Sequence, residues 1–352
     1  MNRIRHSRAF ISLGAIAAVL SCLSASATAR PRTPPPIEEP PPPPPPPLPP
    51  APVGLPDRIL SDAAAYEAYL ERVSSTSPGF TDGAQVALAL KNGAAYEPSA
   101  LVRGAIAFAA IAALEDSTFV AGVRTAGTTP EYRRAMAGYV LYNPVYVFQF
   151  RNSDVAAGLA KQALGSDGLK LYAAGKAIKL AAYSVQHQAW SKEEVADRGG
   201  RLAAVEAAAS DPIPTADDRI PLLQRAASGV APLTITAPAA QPPYPPMVAH
   251  ALQLAALAAL GEATDIDYER LTAVTVDDDT TACLHMAKLN LHQCLAVAKP
   301  NYEDIFCLGQ HAMSDTGACL VKNAGMDMPV EPAPPAPPPD KAAPARKKSK
   351  HA

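Results

Sequence analysis

The sequence predicts an all-α protein, an orthogonal helical bundle with a disulfide-stapled C-terminal helical hairpin, flanked by disordered proline-rich segments. Three observations predict it. Alanine is plentiful while aromatic residues make up only 6% of the chain, a composition that leans to helix. Apolar residues recur at helical spacing between Ser, Asp or Pro starts and Gly or Asn stops. Strand signals are confined to Val145 to Phe150 and Leu233 to Thr236.

Residues 1–29 read as a signal peptide. Arg3, Arg5 and Arg8 form a basic start, Ala9 to Leu23 an apolar stretch, and Ala25-Ser26-Ala27-Thr28-Ala29 a cleavage region. The apolar stretch is about 15 residues, short of the roughly 20 that a spanning helix needs. Two processing routes fit. One is cleavage after Ala29; the other is lipidation at Cys22, since Val19-Leu20-Ser21-Cys22 resembles a bacterial lipobox, although Leu20 departs from the small residue usual there.

Residues 30–54 are a proline-rich linker, with 15 of the 38 prolines between Pro31 and Pro52. Residues 328–352 form a second proline-rich segment ending in a basic tail. Both are expected as polyproline II spacers, because the ring fixes φ and removes the backbone donor.

Residues 55–228 form the predicted main α-helical domain. Its helical windows are Ser61–Val73, Thr81–Tyr96, Pro98–Leu114, Asp116–Arg124, Pro130–Tyr142, Ser153–Leu164, Gly168–Trp190 and Ser191–Ser210. Pro98–Leu114 is apolar nearly all round, which marks a central buried helix. Gly229 to Pro246, proline-rich and uncharged, is expected to act as a connector. Residues 247–327 then form a smaller helical unit with Met247–Leu260, Thr280–Ala298 and Tyr302–Met313. Asp277-Asp278-Asp279 precede Thr280, where acids complement a helix N-terminus.

Four cysteines, Cys283, Cys294, Cys307 and Cys319, crowd this unit, and in an exported chain such spacing reads as two disulfides. On one helix Cys283 and Cys294 are about 16 Å apart along the axis, too far to bond each other. Of the three possible pairings, an antiparallel hairpin favours the nested one, Cys283–Cys319 with Cys294–Cys307. His285, His292 and His311 lie near these cysteines, but His285 and His292 are two turns apart and His285 points away from Cys283, so no metal site is expected.

Tyr183, His187 and Trp190 stand at i, i+4 and i+7 of one helical window. Such a stripe packs a core or lines a pocket in which His187 acts as acid or base. No nucleophile or carboxylate motif completes it. GxSxG, HExxH, Walker, GxGxxG and CxxCH motifs are all absent, and no cofactor is implied.

The chain carries a formal charge of −2, and −5 without residues 1–29, which gives no argument for nucleic acid. In the tail, Arg346, Lys347, Lys348 and Lys350 concentrate positive charge, a solvated end or a hook for anionic lipid or cell-wall polymer. The stretches Ala182-Tyr183-Ser184-Val185-Gln186-His187-Gln188-Ala189-Trp190-Ser191-Lys192 and Ala287-Lys288-Leu289-Asn290 through Cys319 resemble uncharacterised exported proteins of sphingomonad-type alphaproteobacteria. That resemblance implies an envelope location and no activity. The expectation is a non-catalytic periplasmic or envelope-tethered structural or interaction protein with an unidentified envelope partner. The alternative is an envelope hydrolase of peptidoglycan or peptide with a cleft near His187.

Overall fold

A computed structural model describes residues 52–214 and 216–330. The expected signal peptide at residues 1–29, Cys22, most of the first proline-rich segment and the tail residues Arg346, Lys347, Lys348 and Lys350 lie outside the described residues. Within them the protein is all-α, with fourteen α-helices and no strand. In chain order they are α1 (Asp57–Ser74), α2 (Gly83–Ala94), α3 (Pro98–Ala113), α4 (Ser117–Thr125), α5 (Pro130–Tyr142), α6 (Ser153–Val185) and α7 (Ala189–Lys192). There follow α8 (Arg198–Ser210), α9 (Ile220–Ala227), α10 (Pro246–Leu260), α11 (Tyr268–Ala273), α12 (Asp278–Val297), α13 (Asn301–Cys307) and α14 (Thr316–Asn323).

Helix α3 is the centre of the body. Pro98 opens it, the Glu97 carboxylate accepts from the amides of Ser99 and Ala100 at 3.0 and 2.7 Å, and thirteen of its sixteen residues are buried. It is covered by α1, α6 and α10. The contact with α1 is close because Gly104 has no side chain: a Cβ there would lie 2.7 Å from that of Tyr66. At its end the chain turns by 90° into α4. No single described helix is long and apolar enough to cross a membrane.

The second apolar helix, α10, is buried at nearly every position and packs on α3, α4, α5 and α6. Elements on both sides of residues 229–246 therefore share one hydrophobic core. That stretch does not separate two cores; Leu233, Ile235, Ala237 and Ala240 pack against the common one, and the Ala240 amide donates to Asp154 O at 2.8 Å.

The largest departure from the sequence reading is α6, a single 33-residue helix where two were expected. It runs unbroken through Gly165-Ser166-Asp167-Gly168. The glycines are there for contact. From Asn301 to Asn323 the chain is also one helix, α13 and α14 joined by a π-helical stretch at Leu308–Asp315, and it lies antiparallel on α6. Backbone touches backbone at two levels. A Cβ on Gly317 would stand 2.6 Å from Gly168 O, and one on Gly175 would stand 2.7 Å from Gly309 O. Seven residues of α6 thus face eight on its partner. The wider π-helical turn absorbs the extra residue, with the Ser314 hydroxyl donating to Gly309 O at 2.8 Å.

Three further expectations change. Val145–Phe150 is not a strand but a 3₁₀ turn at Pro144–Gln149, consistent with Pro144 opening it. Leu233–Thr236 is not a strand: Thr234 lies in the left-handed region at φ 61°, and the segment has no strand partner among the described residues. Residues 193–197 are not helical, because they run beside Lys299–Asn301: the Val195 amide donates to Lys299 O at 3.0 Å and the Asn301 amide to Glu193 O at 3.2 Å.

Candidate functional site

The turn between α12 and α13 is held by one buried and one half-buried arginine that the sequence reading did not single out. Helix α8 supplies two arginines to the free carbonyls at the end of α12. Arg198 donates to Ala298 O and Ala296 O, both at 2.9 Å, and Arg201 donates to Leu295 O. Arg201 also pairs with Asp304 of α13, and both side chains are almost wholly buried. Burial pushes the Asp304 carboxyl up and Arg201 pulls it back. Cations at a helix C-terminus meet its unpaired carbonyls and the negative end of its dipole.

Lys288 of α12 does the same for two other helices. Its Nζ donates to Ala94 O at the end of α2 (2.8 Å) and to Ala209 O near the end of α8 (3.0 Å), and stands 4.0 Å from the centre of the Tyr96 ring. Burial pulls its pKa down to about 7, and Glu97 partly restores it. A lysine whose folded pKa is depressed penalises folding at low pH, and the penalty fades as pH rises towards the unfolded value near 10.4. Unfolding free energy is therefore expected to rise by about 2 kcal/mol between pH 7 and 9, before the tyrosines titrate. Urea titrations of the protein and of Lys288→Met test this: the variant should lack the rise, and an equal rise in both would exclude Lys288 as its source.

The cysteines pair as Cys283–Cys319 and Cys294–Cys307, with Cα separations of 5.8 and 5.7 Å. The first ties α12 to α14 and the second ties the end of α12 to the end of α13. Each closes a loop worth about 2 to 4 kcal/mol in unfolded-chain entropy. Among the described residues no three His, Cys, Asp or Glu side chains gather as a metal-binding group. His311 Nδ1 contacts Asp315 Oδ2 at 2.8 Å, and the buried His292 Nε2 has no hydrogen-bond partner among the described residues. Asp277 stands at the N-terminus of α12 but accepts no first-turn amide there; its carboxylate accepts from the Thr280 hydroxyl at 2.5 Å.

Above the inner disulfide lies an open groove. Its apolar half, a cavity of about 480 Å³, is lined by Tyr183 of α6, Gln186 just after it, Val297 of α12, Tyr302 and Phe306 of α13, and the Cys294–Cys307 bridge. The Tyr183 and Phe306 rings meet edge to face at 6.3 Å, and Val297 is 73% exposed. A recess of about 380 Å³ continues from Gln186 and Tyr302 to a polar half lined by His187, Lys192, Glu194 and Lys299. Tyr302 and Phe306 are one helical turn apart, and that i, i+4 aromatic pair after Pro300 was the signal in the sequence.

The expected stripe is not assembled as one face. Helix α6 ends at Val185, so Tyr183 lines the apolar half, exposed His187 sits in the turn beside the polar half, and Trp190 belongs to α7. Trp190 does not line either recess; its carbonyl accepts from Asn301 Nδ2 at 3.1 Å and its indole donates to Gln188. Among the described residues no carboxylate is hydrogen-bonded to His187. The groove offers aromatic faces and exchangeable polar groups. It offers no activated nucleophile.

A smaller polar cleft of about 240 Å³ lies on the opposite half of α6, lined by Glu67, Glu71, Asp167, Lys170 and Arg219. Arg219 pairs with Glu71 and lies 3.7 Å from Glu67. Burial and then the charge of Glu67 push the Asp167 carboxyl up to about 7, and burial raises Glu67 against the pull of Arg219. Its members come from α1, α6 and the start of α9, so no local motif announces it. No protein-family model, curated protein or solved structure matches this chain.

Proposed function

We propose that this protein is an exported, non-catalytic structural or interaction component of a bacterial cell envelope. The observation that carries this reading is how its buried polar groups are used. The buried Arg201 and Lys288 and the half-buried Arg198 are engaged by helix ends, and Cys283, Cys294, Cys307 and Cys319 are all engaged in bridges, so these side chains serve rigidity. Two disulfides suit an oxidising compartment, which agrees with a signal peptide at residues 1–29. The resemblance to exported alphaproteobacterial proteins points the same way. Through Arg346, Lys347, Lys348 and Lys350 the tail contacts anionic lipid or cell-wall polymer, each cation contributing about 1 kcal/mol near such a surface.

One observation favours the hydrolase alternative, and it lies away from His187: a carboxyl of near-neutral pKa, Asp167, beside the acid Glu67 in an open polar cleft. Incubation of the full chain with purified sacculi separates the readings. The envelope-component reading expects sedimentation that falls as salt rises, loss of it on deleting Lys341 to Ala352, and no soluble muropeptides by mass spectrometry. Muropeptide release that Asp167→Asn abolishes would establish the hydrolase instead.

A further inference from the structure

We propose that the groove over the Cys294–Cys307 bridge binds a short peptide with both ends free. An apolar side chain of that peptide fills the aromatic half, and its carboxylate and ammonium meet the charges of the polar half. This face takes no part in the envelope reading, and the site stands whether or not the chain is exported. The aromatic half sets the first requirement. Tyr183 and Phe306 meet edge to face at 6.3 Å, Tyr302 stands one helical turn before Phe306, and Val297 beside them is 73% exposed. A concavity of about 480 Å³ with aromatic and aliphatic walls has the size and lining of a small-molecule site, and its occupant must carry an apolar group.

The polar half sets the second requirement. Glu194 and Pro300 are paired in an antiparallel bridge, so their side chains share one face, and Lys192, Lys299 and His187 line the same recess. The Glu303 carboxylate is occupied, accepting from the Lys299 amide at 2.9 Å. Lys192, Lys299 and Glu194 differ from it: among the described residues, their charged groups have no ion-pair partner. Two unpaired ammonium groups and one unpaired carboxylate beside an aromatic pocket complement a ligand that carries both a carboxylate and an ammonium. A fatty acid would satisfy only the lysines, and its chain would lie wet along an open groove. The walls are fixed before a ligand arrives. The Cys294–Cys307 bridge ties α12 to α13, and Arg198 and Arg201 hold the turn between them, so binding has little of the site to order.

The test uses the full-length oxidised chain at neutral pH and the dipeptide Leu-Phe with a fluorinated ring, followed by fluorine NMR line broadening. The free dipeptide should bind, and N-acetylation or C-amidation should each weaken it about tenfold, the effect of losing one charge-assisted contact. Glu194→Gln should erase the difference between free and acetylated dipeptide. Lys192→Gln combined with Lys299→Gln should erase the difference between acid and amide. Val297→Glu, at an exposed position that tolerates it, should weaken all three ligands by about tenfold. Equal binding of the free and blocked dipeptides would overturn the proposal, as would binding that Val297→Glu leaves unchanged. So would the absence of broadening up to about 10 mM dipeptide, a concentration at which even a weak site fills. Dodecanoate that displaces the dipeptide and still binds Glu194→Gln undiminished would make the groove a fatty-acid site instead. None of these outcomes depends on sacculus binding, so the two proposals fail separately.

Discussion

Gly309→Val is expected to destabilise the protein by about 3 kcal/mol or more, because two backbones already touch where the new side chain must go. A Cβ at Gly309 meets the Lys179 amide and lies 2.7 Å from Gly175 O, and neither obstacle is a side chain that can swing aside. Relief comes only by moving α13–α14 away from α6, which opens the Gly168–Gly317 contact as well. Gly138→Ala is the matched control. It sits in α5, where a Cβ would meet nothing within 4 Å, and should stabilise by about 0.5 to 1 kcal/mol through helix propensity. Urea denaturation followed by circular dichroism measures both; a Gly309→Val protein as stable as the parent would mean that the seam is not a tight contact.

Arg201→Met is expected to cost about 3 to 5 kcal/mol, since it leaves the Asp304 carboxylate buried without its partner. It also frees Leu295 O at the end of α12. The double variant Arg201→Met with Asp304→Leu removes the orphaned charge and should recover most of the loss. Without that recovery, the contribution of Arg201 would have to come from the α12 carbonyls rather than from the ion pair. Thermal unfolding of the two variants decides between them.

Where helices begin was readable from local chemistry. Asp82, Asp116 and Thr129 each accept an amide of the first turn with a side-chain oxygen, as residues of their type do at an N-cap. Helix ends misled wherever a glycine served a distant contact. Gly165 to Gly168 read as a break between two helices, and the helix expected to end at Met313 continues past Gly317 to Asn323, because a glycine that ends a helix and one that admits a neighbouring backbone look alike in sequence. For the nested cysteine pairing, helix geometry excluded Cys283–Cys294 and the expected antiparallel hairpin chose between the two pairings left. The groove was half visible: Tyr183 was singled out, but its companions Tyr302 and Phe306 come from residues more than a hundred positions away. Arg201 and Lys288 were invisible for the same reason, since the carbonyls that hold them belong to other helices.

The long α6 seam also sets an order in time. At Gly168 and Gly175 its glycine face is covered by the helix that ends at Asn323, so this seam cannot close until nearly the whole described chain is present. At ~5–20 residues per second, synthesis from Ser153 to Asn323 takes roughly 9 to 34 s, during which those glycines of α6 stay uncovered. Oxidation is necessarily a late event too, because Cys319 is the last cysteine to arrive and the outer bridge waits for it.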